Sequence, residues 1–225
     1  MTGDPTVTDS SLVDRSFPVI LAGPSGAGKT TVRDRLLEST DGERFLFSVS
    51  MTTRAAREGE RGGLDYEFVT REAFDKLVSA DEMLEHATVH GELYGTPLAN
   101  LERARRTGRH LLLDIDVQGA RQVRAVVPEV LSLFILPPSA EEMLRRLRGR
   151  ASETEEQLRR RYLSAIAELD AVGEFDYAIV NETRDDAVAR VLAIVDAERR
   201  SLSRLGDRAL AFAHDLRDEI EKHMR

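Results

Sequence analysis

The 225-residue chain contains no cysteine. That excludes disulfide staples and thiolate zinc sites; it suits a reducing cytosol without fixing the compartment. There is no run of eighteen apolar residues, so no membrane-spanning helix is expected. Positive charge is in short supply. The 32 Lys and Arg stand against 40 Asp and Glu, a formal net charge of −8, which argues against a general nucleic-acid footprint. Residues 1–16 are polar, carry Asp4, Asp9 and Asp14, and lack an apolar signal core, so they read as a disordered leader. Repeats and low-complexity tracts are missing too. Hydrophobic residues, at 41%, are plentiful. A chain of this length and composition can bury a sizeable core without metal or disulfides, as one large domain or a domain with lids and tails.

The most informative stretch is Gly23-Pro24-Ser25-Gly26-Ala27-Gly28-Lys29-Thr30, which fits the phosphate-loop pattern G-x-x-x-x-G-K-[ST] at every fixed position. An apolar, β-like run, Phe17-Pro18-Val19-Ile20-Leu21-Ala22, precedes it. A helical pattern with Val32, Leu36 and Leu37 follows it. A chance glycine-rich turn ahead of a helix is the bland alternative; pattern and context agree against it. Glycines let backbone N–H groups turn inward around phosphate oxygens, and the helix N-terminus adds the positive end of its dipole. In this pattern Lys29 reaches the β- and γ-phosphates, and the Thr30 hydroxyl ligates Mg²⁺.

Further along, Phe45-Leu46-Phe47-Ser48-Val49-Ser50 reads as a strand. The polar segment after it carries Arg54 and Arg57. These are a solvated charged loop on one reading and an anion clamp on the other, since planar guanidinium binds phosphate bidentately. Residues 71–86 are expected to be helical, with Phe74, Leu77, Val78 and Leu84 as apolar contacts. His86 and His90 stand four apart, but no H-E-x-x-H pattern or third ligand accompanies them, so two ordinary histidines are expected. Residues 98–107 read as a helix ending at Gly108. His110-Leu111-Leu112-Leu113-Asp114-Ile115-Asp116 reads as a buried strand closed by two acids, a common place for Mg²⁺ support in phosphate-loop proteins, with a plain strand-end turn as the alternative.

Gln118-Gly119-Ala120 opens a helix stopped near Pro128, and residues 131–136 form another strand. Ser139 and Glu142 make a capping-box pattern ahead of a helix reaching Arg150. Arginines 145, 146, 148, 150, 159, 160 and 161 flank polar residues 151–156: a solvated face, or a lid that neutralises spreading charge and excludes water. Helix to about residue 172, strand 175–180, Asn181 and a helix over 185–199 complete the pattern. Strands alternating with helices argue a mainly parallel sheet covered on both faces. Beyond a break at Leu205-Gly206, Leu210, Ala213, Leu216 and Ile220 recur at helical spacing, an amphipathic tail that packs back on the domain or on another copy.

Over residues 17–198 these segments resemble guanylate kinase, which moves the γ-phosphate of ATP to GMP. The resemblance rests on linked motifs: Gly23–Thr30, Ser48-Val49-Ser50-Met51-Thr52-Thr53-Arg54, Gly59-Glu60 with Asp65-Tyr66-Glu67-Phe68, Leu93-Tyr94-Gly95-Thr96, Leu113-Asp114-Ile115-Asp116-Val117-Gln118-Gly119-Ala120, Pro137-Pro138-Ser139 and Val180-Asn181. It implies an α/β fold: a phosphate-loop core (17–49 and 98–200), a small α+β GMP-binding insertion (50–97), a helical lid near 148–160, and a C-terminal helical extension (201–225).

It also implies roles. Gly23, Pro24, Ser25, Gly26, Ala27, Gly28, Lys29, Thr30 and Thr31 would hold ATP, with Asn181 near adenine. Ser50, Glu85 and Thr96 would meet guanine. Arg54, Arg57, Tyr66 and Tyr94 would hold the GMP phosphate. Thr30, Asp114 and Asp116 would support Mg²⁺, Asp116 also facing GMP. Lys29, Arg54, Arg146, Arg150 and Arg161 would close on the transferring phosphoryl. ATP and GMP are then the partners, in the cytoplasm, for purine nucleotide supply, with self-association left open.

The chemistry of the acceptor fits. Guanine offers N1–H and a 2-amino group as adjacent donors, which an ionised Glu85 can accept together, whereas adenine sets a lone pair against the carboxylate. Such sites reject analogues by factors on the order of 10⁴ in good cases. Three positions depart from the family pattern: Ala56 for a common proline, His86 for an aromatic, Ala151 for a hinge glycine. Two rivals remain at this stage, a same-fold kinase with an acceptor such as ribose bisphosphate and a non-catalytic interaction module of the same fold. The intact Gly28, Lys29 and Thr30 argue against the second. A generic phosphate-loop GTPase would need an N-K-x-D pattern, which is missing.

Overall fold

A computed structural model of the chain describes residues 16–57, 59–89, 91–148 and 155–224. The leader to residue 15, His90 and, within the expected lid, residues 149–154 with Arg150 and Ala151 lie outside the described residues.

The chain opens with strand β1 (Val19–Ala22), the phosphate-loop turn and helix α1 (Lys29–Glu38). After a 3₁₀ turn come β2 (Phe45–Phe47), β3 (Met51–Thr52) and β4 (Glu67–Phe68). Then follow α2 (Arg71–Ser79), β5 (Met83–Val89), β6 (Glu92–Pro97), α3 (Leu98–Thr107) and β7 (His110–Asp114). The second half runs α4 (Val117–Val126), β8 (Leu131–Leu136), α5 (Ala140–Arg148), α6 (Glu155–Asp170), β9 (Tyr177–Val180) and α7 (Arg184–Glu198). Two helices close the chain, α8 (Leu202–Leu205) and α9 (Asp207–His223).

Five strands form a wholly parallel sheet in the order β2-β7-β1-β8-β9. Alternation along β1 decides which face each side chain takes. Val19 and Leu21 join Val32 and Leu36 of α1 and Val188, Val191 and Val195 of α7 in one core. Ile20 and Ala22 join Leu101 and Ala104 of α3 and Ala120 and Val123 of α4 in the other. The sheet is thus covered on both faces, as a parallel sheet requires. The carboxyl ends of β1, β7 and β9 all lie along one edge, where open α/β sheets bind ligands. The second sheet, β4-β3-β6-β5, is built from residues 51–97 and is mostly antiparallel.

Four expectations change in detail. The helix expected over 71–86 stops at Ser79: Thr70 caps its start, and Asp81 adopts a left-handed conformation (φ 55°) that ends it. Leu84 belongs to β5 and enters the core of the parallel sheet, not the α2 face. The strand expected over 45–50 is cut short, because after Ser48 N–H donates to Leu112 O the chain crosses to the second sheet. The helix expected to reach 172 gives way to a 3₁₀ turn at Ala171–Glu174. At Ser139 only half of the capping box forms: Glu142 N–H bonds the serine hydroxyl, while its carboxylate is taken by Arg145 and Arg146 at 2.7 Å each. The tail breaks at Gly206, and α9 leaves Leu210, Leu216 and Ile220 exposed, so that face is not buried on the rest of the described chain.

Candidate active site

The phosphate loop is finished by side chains from far along the chain. Asn181, just past β9, donates its amide to Ala27 O at 2.9 Å. Arg146 of α5 donates to Gly26 O and Ala27 O at 3.2 and 3.3 Å. Glu168 of α6 accepts from Ser25 N–H at 2.9 Å. The carbonyls are thereby held from outside. Gly28 sits at φ 90°, a conformation L side chains rarely adopt, and a Cβ there would lie 2.5 Å from the Asn181 amide nitrogen. At Gly23 the same atom would lie 2.3 Å from Ile135 O. Gly28 caps α1 with no side chain in the way, so the helix N-terminus faces the loop's interior. Lys29 Nζ folds back onto Gly23 O at 2.7 Å. Thr30 Oγ1 donates to Asp114 Oδ2 at 3.1 Å, joining α1 to the end of β7. Thr31, Arg146 and Asn181 share a cleft of about 430 Å³ on the outer side of the loop.

A second cavity, of about 320 Å³, is lined by Ser50, Tyr66, Glu85, Tyr94, Asp114 and Asp116. Glu85 in its wall belongs to a cross-strand pair. Glu85 on β5 lies opposite Thr96 on β6, and the Thr96 hydroxyl donates to Glu85 Oε1 at 2.7 Å. Both are buried, at 8% and 0% exposure. Burial pushes the Glu85 carboxyl up to about 7, and the Asp116 charge pushes the same way, against the Thr96 hydrogen bond. Space beside it is kept by Gly119, whose Cβ would sit 3.1 Å from Glu85 Oε2. A further cavity, lined by Lys29, Thr30, Arg33, Tyr66, Asp114 and Asp116, connects this pocket to the phosphate loop.

The two acids at the end of β7 part company. Asp116 Oδ1 accepts from Gly119 N–H at 2.7 Å and caps α4, so it faces the Glu85 pocket; Asp114 alone of the pair meets the Thr30 hydroxyl. Arg54 is half-buried and fully engaged. It forms a fork with Glu60 at 2.8 and 2.9 Å, donates to Tyr94 Oη at 3.1 Å, and lies 5.6 Å from the centre of the Tyr66 ring. Arg57 donates its backbone N–H to the same Glu60 at 2.7 Å and leaves its side chain exposed. Hydrogen bonding to Arg54 holds the Glu60 carboxyl below the usual range. Arg161 donates to Leu147 O at 2.9 Å, tying α6 to α5. His86 is tied to α4 through its backbone, both groups bonded to the Gln122 amide.

Three residues that sequence reasoning did not assign prove central: Glu60, Glu168 and Arg33. Glu168 lies 143 residues from its partner, and no local pattern could announce it.

Comparisons with known proteins place the chain in a family. The guanylate kinase family model matches residues 15–198. A guanylate kinase of Thermus thermophilus is 46% identical over 203 residues, covering 90% of this chain and 91% of that protein. One from Clostridium perfringens is 41% identical over 202 residues, covering 90% and 93%. The crystal structure of guanylate kinase from Anaplasma phagocytophilum superposes with a TM-score of 0.69 at 38% identity, covering 86% of this chain and 92% of that one. With the family model matched over residues 15–198 and these relatives covered over most of their length, the chain belongs to the guanylate kinase family.

Proposed function

We propose that this chain transfers the γ-phosphoryl group of ATP to GMP, giving ADP and GDP. The observation that carries the reading is the buried Glu85–Thr96 pair, which opens through a shared cleft onto Lys29 and Thr30. A carboxylate buried with one hydroxyl donor has acceptor capacity to spare, which matches the paired donors of guanine. Ser50 lines the same wall. Tyr66, Tyr94, Arg54 and Arg57 would receive the acceptor phosphate. Arg54 would then have to leave its fork with Glu60, exchanging one anion for another.

An oxygen of the GMP phosphate attacks the γ-phosphorus, and the bond to the β–γ bridging oxygen breaks. The attacking group is already an anion at neutral pH, so no general base is needed. Rate comes from alignment and charge neutralisation, supplied by Lys29, Arg146, Arg161 and, outside the described residues, Arg150. Thr30 and Asp114 offer hard oxygens that suit Mg²⁺. Among the described residues no cluster of three or more acids or histidines could cage an ion alone, which fits a cation carried in by nucleotide. When bound, Mg²⁺ would neutralise charge on the phosphates.

The core, the insertion at 50–97, a lid near 148–160 and the tail from 201 are proposed as functional divisions. No described helix is long and apolar enough to cross a membrane; we assign the chain to the cytoplasm and to purine nucleotide supply. The test is ADP release from Mg·ATP with GMP, AMP, UMP and ribose bisphosphate offered in turn. Turnover confined to GMP is expected. Turnover with another acceptor would overturn the roles of Ser50, Glu85 and Thr96, and no turnover in folded protein would favour an interaction module. Lys29→Ala should abolish most of the GMP-dependent rate with the circular dichroism spectrum unchanged.

A further inference from the structure

Arg33 has no part in the phosphate-loop pattern, yet it lines the cavity between the loop and the Glu85 pocket. It sits one turn beyond Thr30 on α1. Its guanidinium carbon lies 4.5 Å from the centre of the Phe47 ring. Nη1 stands 3.4 Å from Asp114 Oδ2, the same oxygen that accepts from Thr30. Nε donates to Asp34 Oδ1 at 2.8 Å, and Nη2 lies 2.7 Å from that atom. The Asp114 side chain is only 9% exposed, and Asp34 is 53% exposed. Lys29 is turned away onto Gly23 O. Among the described residues, Arg33 is therefore the ion partner of Asp114.

We propose that Arg33 is a positioning residue that guards Asp114 against bare divalent cations, holding its carboxylate until the cation arrives on a triphosphate. The inference rests on the reading of Thr30 and Asp114 as the pair that faces the metal. A carboxylate this buried needs a counter-charge when the cleft holds no nucleotide, and Arg33 supplies it. A hydrated cation arriving alone would have to displace the arginine while gaining a single protein carboxylate. A cation arriving with nucleotide brings phosphate oxygens as its own ligands, so the exchange becomes favourable. The release is local. Arg33 makes two short contacts to Asp34 and one long contact to Asp114, and the Phe47 ring limits its swing. Letting go of Asp114 still leaves the guanidinium its Nε and Nη2 contacts to Asp34.

The test is titration of the full-length, nucleotide-free protein with Mn²⁺, followed by electron paramagnetic resonance. Arg33→Met should bind one Mn²⁺ at least about fivefold more tightly than the parent, since a neighbouring cation no longer opposes it. Arg33→Met combined with Asp114→Asn should lose that gain. Arg33→Lys, which keeps the charge, should stay near the parent. An Arg33→Met protein that is folded but binds Mn²⁺ no more tightly overturns the proposal.

Asp34→Asn supplies a second measurement at an exposed position. Without its alternative partner Arg33 should lean on Asp114, so the Mg²⁺ concentration for half-maximal turnover at fixed ATP should rise at least about twofold. An unchanged or lower Mg²⁺ requirement counts against the guard. If Asp114→Asn alone leaves Mn²⁺ binding to the ATP complex untouched, the metal-facing reading fails and takes the inference with it.

Discussion

Burial pushes the Glu85 carboxyl up to about 7, and only the carboxylate can accept both donors of guanine. At pH 6 roughly a tenth of the sites would be ionised, so the apparent KM for GMP should rise about tenfold above its alkaline plateau. The KM for ATP should not follow. Glu85→Gln should weaken GMP at all pH values and keep only the pH dependence that GMP's own phosphate brings. Steady-state KM values between pH 5.5 and 8.5 for both proteins decide this; parallel profiles would sink it. Thr96 was visible in the sequence because it sits in a motif, and Glu85 because the family resemblance assigns its position a role. The carboxylate's shifted proton was not, because it depends on burial by segments distant in the chain. Arg33 and Glu60 were missed for a related reason. Both stood in plain view among other charges, and only their partners, Asp114 and Arg54, distinguish them from a solvated face.

Among the elements, α4 carries the clearest consequence. Its first turn brings the backbone against Glu85, which is why position 119 is a glycine at an ordinary helical site. Gly119→Ala improves helix propensity by about 1 kcal/mol in principle. Its Cβ, 3.1 Å from Glu85 Oε2, must push the carboxylate aside. The expected outcome is a thermal midpoint unchanged or raised, with the KM for GMP up at least about fivefold and the KM for ATP unaltered. An unaltered KM for GMP would show that the carboxylate has room to move. Long elements with clean periodicity, such as α3 and β8, were legible to the residue. The stretch around 80–86 was not, because α2 and β5 are joined by a turn at Asp81 with neither glycine nor proline to mark it.

For the whole molecule, two buried groups push the response to acid in opposite directions. Glu85 has its folded pKa raised to about 7, so its contribution is fully present below the unfolded value of 4.5 and is lost as pH rises through 7. His110, packed edge-on against Phe17 and hydrogen-bonded to its backbone, is lowered by burial to about 4. Its contribution is present above the unfolded value of 6.5 and lost as pH falls through 4. Each shift of this size corresponds to about 3 kcal/mol. Between pH 6.5 and 4.5 the two should nearly cancel in the parent. Glu85→Gln should lose about 2 to 3 kcal/mol across the same window. Urea unfolding midpoints at pH 6.5, 5.5 and 4.5 measure the difference, and coincident slopes for the two proteins would reject the pairing.

The phosphate loop reads as eight consecutive residues, but its finished shape depends on Arg146, Glu168 and Asn181, which follow it by 120 to 154 positions. A ribosome delivers those positions late. At roughly 5–20 residues per second, the loop emerges on the order of ten seconds before Asn181 does. Through that interval the nascent chain displays the motif without its braces. ATP should therefore be ignored by chains arrested before β9 clears the exit tunnel and retained by chains arrested well after it. Nucleotide capture in this family member thus reports the completion of synthesis as well as the presence of a sequence pattern.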